Sequence, residues 1–295
     1  MTETCASCGA KVTGEYCSVC GERRLNPSDR TLGALTRTFF ESVTDLDSRL
    51  FRTLRTLILK PGALTHAFCL GKRKPFLGPV QLFLLANIIY FLLHPFATHA
   101  GYNTSLDIQI NQQAYSTTLP IESWVEKTAA DSGLSRDAFE AVYDNQSEVL
   151  ARSLIFVMVP MLALTIGVLM LGTRKLAADH LVFALHYYAY ELLILHCVFM
   201  MVWPRLVIGA SRLTTAWLTS PASAAFINNT AYFAIELVGP LLIIGPYLYL
   251  SIRRFYGAGK LRSAATAMVV VFSLFWNAVV YRLILLFATL GSIST

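Results

Sequence analysis

Charged residues are scarce in this sequence: only 14% of its 295 residues are Asp, Glu, Lys or Arg, whereas 55% are hydrophobic. Soluble domains carry roughly 25% charged residues. Together with several long apolar runs, this shortage excludes an ordinary soluble enzyme and predicts an all-α integral membrane protein. The same hydrophobicity excludes a disordered chain.

Several motifs that report catalysis are also missing. The chain contains no His-Glu-x-x-His, no Gly-x-x-x-x-Gly-Lys-Ser/Thr and no Gly-x-Ser-x-Gly. A zincin-type intramembrane protease, nucleotide-driven transport by this chain alone and α/β-hydrolase chemistry are therefore unsupported. The sequence favours a protein that is not an enzyme, and it assigns no catalytic residue.

The first segment of the chain holds four of its six cysteines in two Cys-x-x-Cys-Gly knuckles, formed by Cys5, Cys8, Cys17 and Cys20. Zinc binds four thiolates tetrahedrally, and each knuckle can supply one edge of the tetrahedron. Gly9 and Gly21 allow the positive φ that such a turn needs. We predict a miniature zinc ribbon over residues 1–24 with a structural Zn²⁺, and a short hairpin between the knuckles over residues 9–16.

Two other roles for these cysteines are less favoured. Two disulfides would need an oxidising compartment, whereas the predicted topology places this end of the chain in the cytoplasm. A redox Cys-x-x-Cys motif normally lies at a helix N-terminus, which so short a module does not provide.

Residues 25–75 are basic and amphipathic. One apolar stripe with helical spacing is formed by Leu50, Phe51, Leu54, Leu57 and Ile58. Cations lie beside it and before the first long apolar run, and we predict that they contact anionic lipid headgroups: Arg49, Arg52, Arg55, Lys72, Arg73 and Lys74. A helix packed on the protein's own membrane domain is the alternative, and both can hold. Asn26-Pro27-Ser28 is a plausible helix start and Lys60-Pro61-Gly62 a plausible stop.

Residues 76–295 are predicted to form a helical membrane domain, because apolar runs of about 20 residues match the thickness of a bilayer core. We predict five spans, at about 76–97, 153–172, 181–203, 229–251 and 264–290. Residues 205–227 are a weaker apolar segment, interfacial, re-entrant or part of a broken sixth span. Within the connecting segment 98–152, Asp137 to Arg152 is predicted to be helical, with Ser135 as its N-cap.

Lysine and arginine give the orientation. Eighteen of the 24 basic residues fall before the first span or in the second–third and fourth–fifth connections. The positive-inside rule therefore places the N-terminus in the cytoplasm and residues 98–152 outside it. In such a protein the net charge of +6 says little about nucleic acid, and no nucleic-acid partner is expected.

The chain also resembles a known family. The knuckles are followed by Leu-Asp-Ser-Arg-Leu-Phe-Arg-Thr-Leu (46–54), by Lys-Pro-Gly (60–62) and by Gly-Lys-Arg-Lys-Pro-Phe (71–76), and Asp-His-Leu-Val-Phe-Ala-Leu-His (179–186) comes later. Over roughly residues 1–200 this is similar to bacterial membrane proteins classed as a domain of unknown function with an N-terminal zinc-ribbon-like segment. The resemblance implies a location in the inner membrane. It does not imply any particular activity.

Ionisable side chains within the predicted spans are costly in hydrocarbon, so each is a candidate functional group. They form a predicted intramembrane polar cluster of His186, Tyr187, Glu191, His196, Glu236 and Arg282. We expect Arg282 to pair with Glu236 or with Glu191. The cluster can serve as an ion relay or simply hold the helices together.

Two functions follow from these features. The first is a cytoplasmic docking, regulatory or assembly platform, in which the zinc ribbon binds a protein partner and the helices anchor it. The second is a proton- or ion-coupled transporter or channel that uses the polar cluster. A homo-oligomer is compatible with either function.

Overall fold

The computed structural model describes residues 3–4, 8–14, 16–19, 48–72, 75–93, 102, 104–111, 113, 115–199 and 239–293. The chain divides into two compact units, Met1–Phe51 and Arg52–Thr295. Apart from one short hairpin, the regular structure in these ranges is helical. This confirms the predicted helical class, whereas the number of spans remains a prediction.

The first unit contains a two-stranded antiparallel hairpin. Strand β1 (Glu3–Thr4) pairs with β2 (Lys11–Val12), with Glu3 opposite Val12. This pairing encloses the first knuckle, and Tyr16 after β2 forms a β-bridge, so the predicted hairpin over residues 9–16 stays a prediction. Gly9 has the expected positive φ, 72°.

The second unit begins within helix α1 (48–59), which is followed by α2 (Ala63–Cys69). Helix α1 ends at the predicted Lys-Pro-Gly stop. In its second half, Leu57 is buried on one face of the helix, whereas Ile58 and Leu59 are exposed. Packing against the helical unit and an exposed apolar face therefore coexist in this helix.

The turn after α1 is fixed by a close backbone approach. Gly62 has a φ of 74°, and a Cβ atom placed on it would lie 2.6 Å from the carbonyl oxygen of Ser251. Only glycine meets both requirements without strain. The short connection is thus held directly against a helix nearly 190 residues later in the chain.

Helices that overlap each of the five predicted spans form the main bundle. They are α3 (Pro79–Leu93), α7 (Met158–Leu169), α8 (Ala177–Tyr190) with its π-helical continuation (Glu191–Phe199), α9 (Gly239–Tyr256) and α10 (Lys260–Ile293). Helix α8 packs on α3 and α7, and α10 packs on α7 and α9. Residues 205–227 lie outside the described part of the chain.

The segment between the first two predicted spans is folded. It contains α4 (Leu106–Asn111), α5 (Ile121–Ser132) and α6 (Arg136–Leu154), the last beginning after Ser135 as predicted, although the Ser135 side chain makes no capping hydrogen bond. These helices share a hydrophobic core with the end of α10, formed by residues such as Val125, Phe139 and Leu286. A 3₁₀ turn (Ile155–Val157) joins α6 to α7.

Two of these helices are long and apolar enough to cross a membrane: Arg136–Leu169, which runs through α6 and α7, and Lys260–Ile293. Only 39% and 28%, respectively, of their most apolar windows are buried within the protein. A core helix of a soluble protein would bury most of that surface. The exposed large apolar side chains of α10 run from Leu261 to Phe287, which is about 39 Å along a helix.

Candidate functional site

Two sulfur atoms of the predicted zinc ribbon face each other in the first unit. Cys8 Sγ and Cys17 Sγ are 3.6 Å apart. A disulfide would bring the sulfurs to about 2.05 Å, whereas adjacent thiolates around a tetrahedral zinc are separated by about 3.8 Å, given Zn–S bonds of 2.3 Å. Cys5 and Cys20 lie outside the described residues, so the structure shows half of the proposed ligand set.

At one end of the second unit, arginine and lysine side chains connect neighbouring turns and helices. Arg254 Nη1 donates to the carbonyl oxygen of Pro61 at 2.7 Å, and Arg262 Nη2 donates to that of Leu171 at 3.0 Å. Lys175 lies 4.2 Å from the centre of the Phe255 ring. These contacts join the Lys-Pro-Gly turn and the second–third and fourth–fifth connections, which the topology prediction assigns to the same side.

Of the predicted headgroup contacts, Arg52, Arg55 and Lys72 are exposed at this end of the second unit. Arg49 belongs to the first unit and is half-buried. Arg73 and Lys74 lie outside the described residues.

His180 lies at the same end. Its Nδ1 is 2.7 Å from the Tyr256 hydroxyl, and the two rings stack. Burial lowers the pKa of His180, only partly opposed by nearby Asp179, so the imidazole is neutral at physiological pH.

The predicted polar cluster is centred on Glu191, where α8 gives way to the π-helix. Its side chain is buried, and Oε1 accepts a 2.7 Å hydrogen bond from the Tyr102 hydroxyl. Burial raises the pKa of Tyr102 well above its usual value of 10, and the Glu191 charge raises it further. The phenol therefore stays protonated and acts as the donor.

An aromatic group surrounds this hydrogen bond. The Tyr102 ring contacts the rings of His196 and Tyr281, with centroids 5.0 Å and 5.7 Å away. The Tyr102 backbone N–H donates to the Tyr90 hydroxyl at 2.8 Å. His196 Nδ1 lies 3.3 Å from the carbonyl oxygen of Glu191, five residues earlier. Residues from α3, α10 and the π-helix thus fix Tyr102 against the carboxyl group.

Two buried polar atoms near Glu191 have no hydrogen-bond partner among the described residues. They are Glu191 Oε2 and the Tyr187 hydroxyl group, whereas the Tyr188 hydroxyl interacts with the side chain of Asn277. Both tyrosines interact electrostatically with Glu191. Buried polar groups are usually satisfied, and π-helical turns concentrate at functional sites. The Glu191 region is therefore the strongest candidate site in the second unit.

His186 belongs to a different contact. It is buried, and its Nδ1 lies 3.0 Å from Thr65 Oγ1. This hydrogen bond ties α2 to α8, so among the contacts described His186 joins two helices and does not bind Glu191.

Arg282 does not form the expected ion pair with Glu191. Its Nη1 donates to Gln113 Oε1 at 3.2 Å, and its carbonyl oxygen accepts from Gln109 Nε2 at 3.2 Å. Both glutamines belong to the segment before α5: Gln113 accepts from the guanidinium through its side-chain oxygen, and Gln109 donates its side-chain N–H to the backbone of α10. The other expected partner, Glu236, lies outside the described residues.

Sequence reasoning missed Tyr102, Gln109 and Gln113. These residues lie in or beside α4, far from Glu191 and Arg282 in sequence and outside every apolar run. Periodicity does not reveal that this segment turns back onto the bundle. The acidic, helix-forming composition of residues 98–152 indicates that the segment contains helices. It does not indicate which part of the bundle those helices contact.

Two lateral grooves lie within the exposed apolar surface. The larger, about 800 Å³, runs between α9 and α10 and is lined by residues such as Pro246, Met268 and Phe272. The smaller, about 570 Å³, runs between α3 and α6 and is lined by Asn87 and Arg152 among apolar neighbours.

Residues 47–91 match the model of a family described as "Protein of unknown function (DUF3667)". The match covers α1 from its described start, the Lys-Pro-Gly turn, α2 and most of α3. It supports an uncharacterised domain family. Neither the curated proteins nor the solved structures contain a match.

Proposed function

We propose that this chain is a multi-pass protein of the bacterial inner membrane that displays a cytoplasmic zinc ribbon as a docking module. The membrane assignment is supported by the exposed apolar side chains of its long helices. On α3 they recur every four residues, at Val80, Leu84, Ile88 and Leu92, which are 41–70% exposed. Apolar surface of this extent is a feature of membrane or protein contact.

The charge distribution supports the proposed orientation. The end of the second unit that carries the Lys-Pro-Gly turn is rich in exposed cations, including Arg52, Arg55, Lys72, Arg253 and Arg254. The segment 98–152 instead contains eight acidic and three basic residues. Basic side chains are retained on the cytoplasmic side, where anionic headgroups attract each one by about 1 kcal/mol. The basic end is thus proposed to face the cytoplasm and its lipids.

The proposed zinc ligands are Cys5, Cys8, Cys17 and Cys20. The 3.6 Å separation of Cys8 and Cys17 fits adjacent ligands of one metal and does not fit a disulfide. Among the described residues of the first unit, the hydrophobic core consists of buried Cys17 packed against Ala10. A closed four-thiolate zinc site supplies cross-links that such a unit needs in order to fold.

Exposed apolar side chains beside Cys17 carry the docking proposal. Tyr16 is 60% exposed and Val19 is 73% exposed. These two side chains, at and beside the second knuckle, provide an exposed apolar surface that a partner could bury. Aromatic anchors are enriched at the centres of protein interfaces. The proposed partner is a protein with an apolar groove.

A photo-crosslinking amino acid at Val19 of the full-length protein tests this function in intact cells. We expect a discrete protein adduct that is lost when Cys8→Ser disrupts the ribbon, and zinc bound to the purified wild type in a 1:1 ratio. Exposed Thr13 is the matched control position and should give little adduct. Adducts of equal yield from both positions, or adducts unaffected by Cys8→Ser, would contradict docking through the folded ribbon.

A proton- or ion-coupled transporter is a second candidate, favoured by a buried Glu191 without a basic partner among the described residues. Purified protein in liposomes should then move protons or a cation, and Glu191→Gln should abolish the flux. Equal flux in the variant would remove this candidate.

A further inference from the structure

The described surroundings of Glu191 contain no counter-ion for an ionised carboxylate. The ionisable side chains close to Glu191 among the described residues are Tyr90 of α3, Tyr102, and Tyr187 and Tyr188 of α8, and His196 of the π-helix lies beside its backbone carbonyl. Beyond these, next to the tyrosines, lie Cys197, Tyr247 of α9, and Tyr281 and Arg282 of α10. Arg282 donates to Gln113 and forms no ion pair with Glu191. Within the part of the chain that the structure describes, an ionised Glu191 would be a buried charge without a counter-ion, which proteins rarely tolerate.

The hydrogen bonds fit a neutral carboxylic acid better. Oε1 accepts from Tyr102, while Oε2 is buried and has no donor within hydrogen-bond distance among the described residues. An ionised carboxylate needs donors at both oxygens, whereas a protonated one carries no charge and needs fewer of them. One donor at one oxygen therefore fits the carboxylic acid.

We propose that Glu191 is a reversible proton-binding site in the helical bundle. It takes up one proton from solution, converting the carboxylate to a carboxylic acid whose Oε1 stays hydrogen-bonded to Tyr102. The π-helical turn that begins at Glu191 and the aromatic rings around Tyr102 hold the acid in place. This inference requires neither zinc nor a docking partner, and it identifies the coupling ion that a transport activity would use.

Infrared difference spectroscopy of the full-length protein in lipid bilayers tests the proposal. The spectrum of wild type minus Glu191→Gln should contain one carboxylic-acid C=O band at pH 7, which disappears with a single midpoint as the pH is raised. Glu148→Gln is the matched control, because Glu148 is exposed and paired with Arg152 at 2.9 Å. It should leave that band unchanged.

Tyr102→Phe provides a second test that keeps Glu191 intact. Loss of the hydroxyl donor should shift the same C=O band to higher frequency, even if Glu191→Gln does not fold. The proposal is overturned if the Glu191 signal is a carboxylate band at every pH, if Tyr102→Phe leaves the acid band where it was, or if the signal responds to Na⁺ concentration at fixed pH. The last result would indicate a metal-cation site. These outcomes do not depend on the crosslinking result, so the two proposals can fail separately.

Discussion

The substitution Gly62→Ala tests how the Lys-Pro-Gly turn is held against the bundle. The new Cβ would lie 2.6 Å from the carbonyl oxygen of Ser251 and 2.8 Å from its Cα, both backbone atoms of a helix. Relieving this overlap requires the turn or α9 to move, at a cost of about 1–3 kcal/mol. The φ of 74° adds about 1–2 kcal/mol for a residue with a side chain. We therefore expect a total loss of roughly 2–5 kcal/mol.

Gly71→Ala is the matched control for this substitution. Gly71 has a φ of 83°, but a Cβ atom there would meet nothing within 4 Å, so only the backbone strain of about 1–2 kcal/mol applies. Thermal unfolding of both purified variants in the same detergent would separate the two contributions. A Tm for Gly62→Ala equal to or above that of Gly71→Ala would refute the packing argument.

Three further predictions concern single contacts. Arg254→Gln should lower stability by about 1 kcal/mol through loss of the hydrogen bond to Pro61, whereas Arg253→Gln, a neighbouring exposed site, should be nearly neutral in the same thermal assay. Tyr102→Phe should cost about 1–3 kcal/mol, because it removes the donor to a buried carboxyl oxygen; an unchanged Tm would contradict that contact. His180 has a lowered pKa in the folded state, so the unfolded chain binds a proton first and stability should fall as the pH drops below about 6.5. His180→Gln should make the decline of Tm between pH 7.5 and 5.5 shallower, and parallel declines would exclude this role.

Local features of the fold were predictable from the sequence because they depend on nearby residues. The Lys-Pro-Gly stop ends α1 since proline removes a backbone donor and glycine takes a positive φ. The apolar runs gave the approximate positions of the bundle helices, and Ser135 marked the start of α6. The knuckle glycine, Gly9, has the conformation that its turn requires.

The candidate site was only partly predictable. Glu191 and His196 stood out because charge and imidazole are rare in apolar runs, but their surroundings depend on long-range packing. Tyr102 reaches Glu191 across 89 positions of sequence, and Thr65 reaches His186 across 121. The Arg282 guanidinium donates to the neutral side-chain oxygen of Gln113 where we expected an acidic partner, because described helices of the segment 98–152 pack against α10.

Site-specific labelling in intact cells measures the proposed membrane topology. Intact spheroplasts that express Thr117→Cys, an exposed position before α5, would be treated with a membrane-impermeant maleimide, and mass spectrometry would locate the modified cysteines. We predict modification at position 117 and none at Cys5, Cys8, Cys17 or Cys20 until the membrane is permeabilised. Modification of those four cysteines in intact spheroplasts, with position 117 protected, would contradict a cytoplasmic N-terminus.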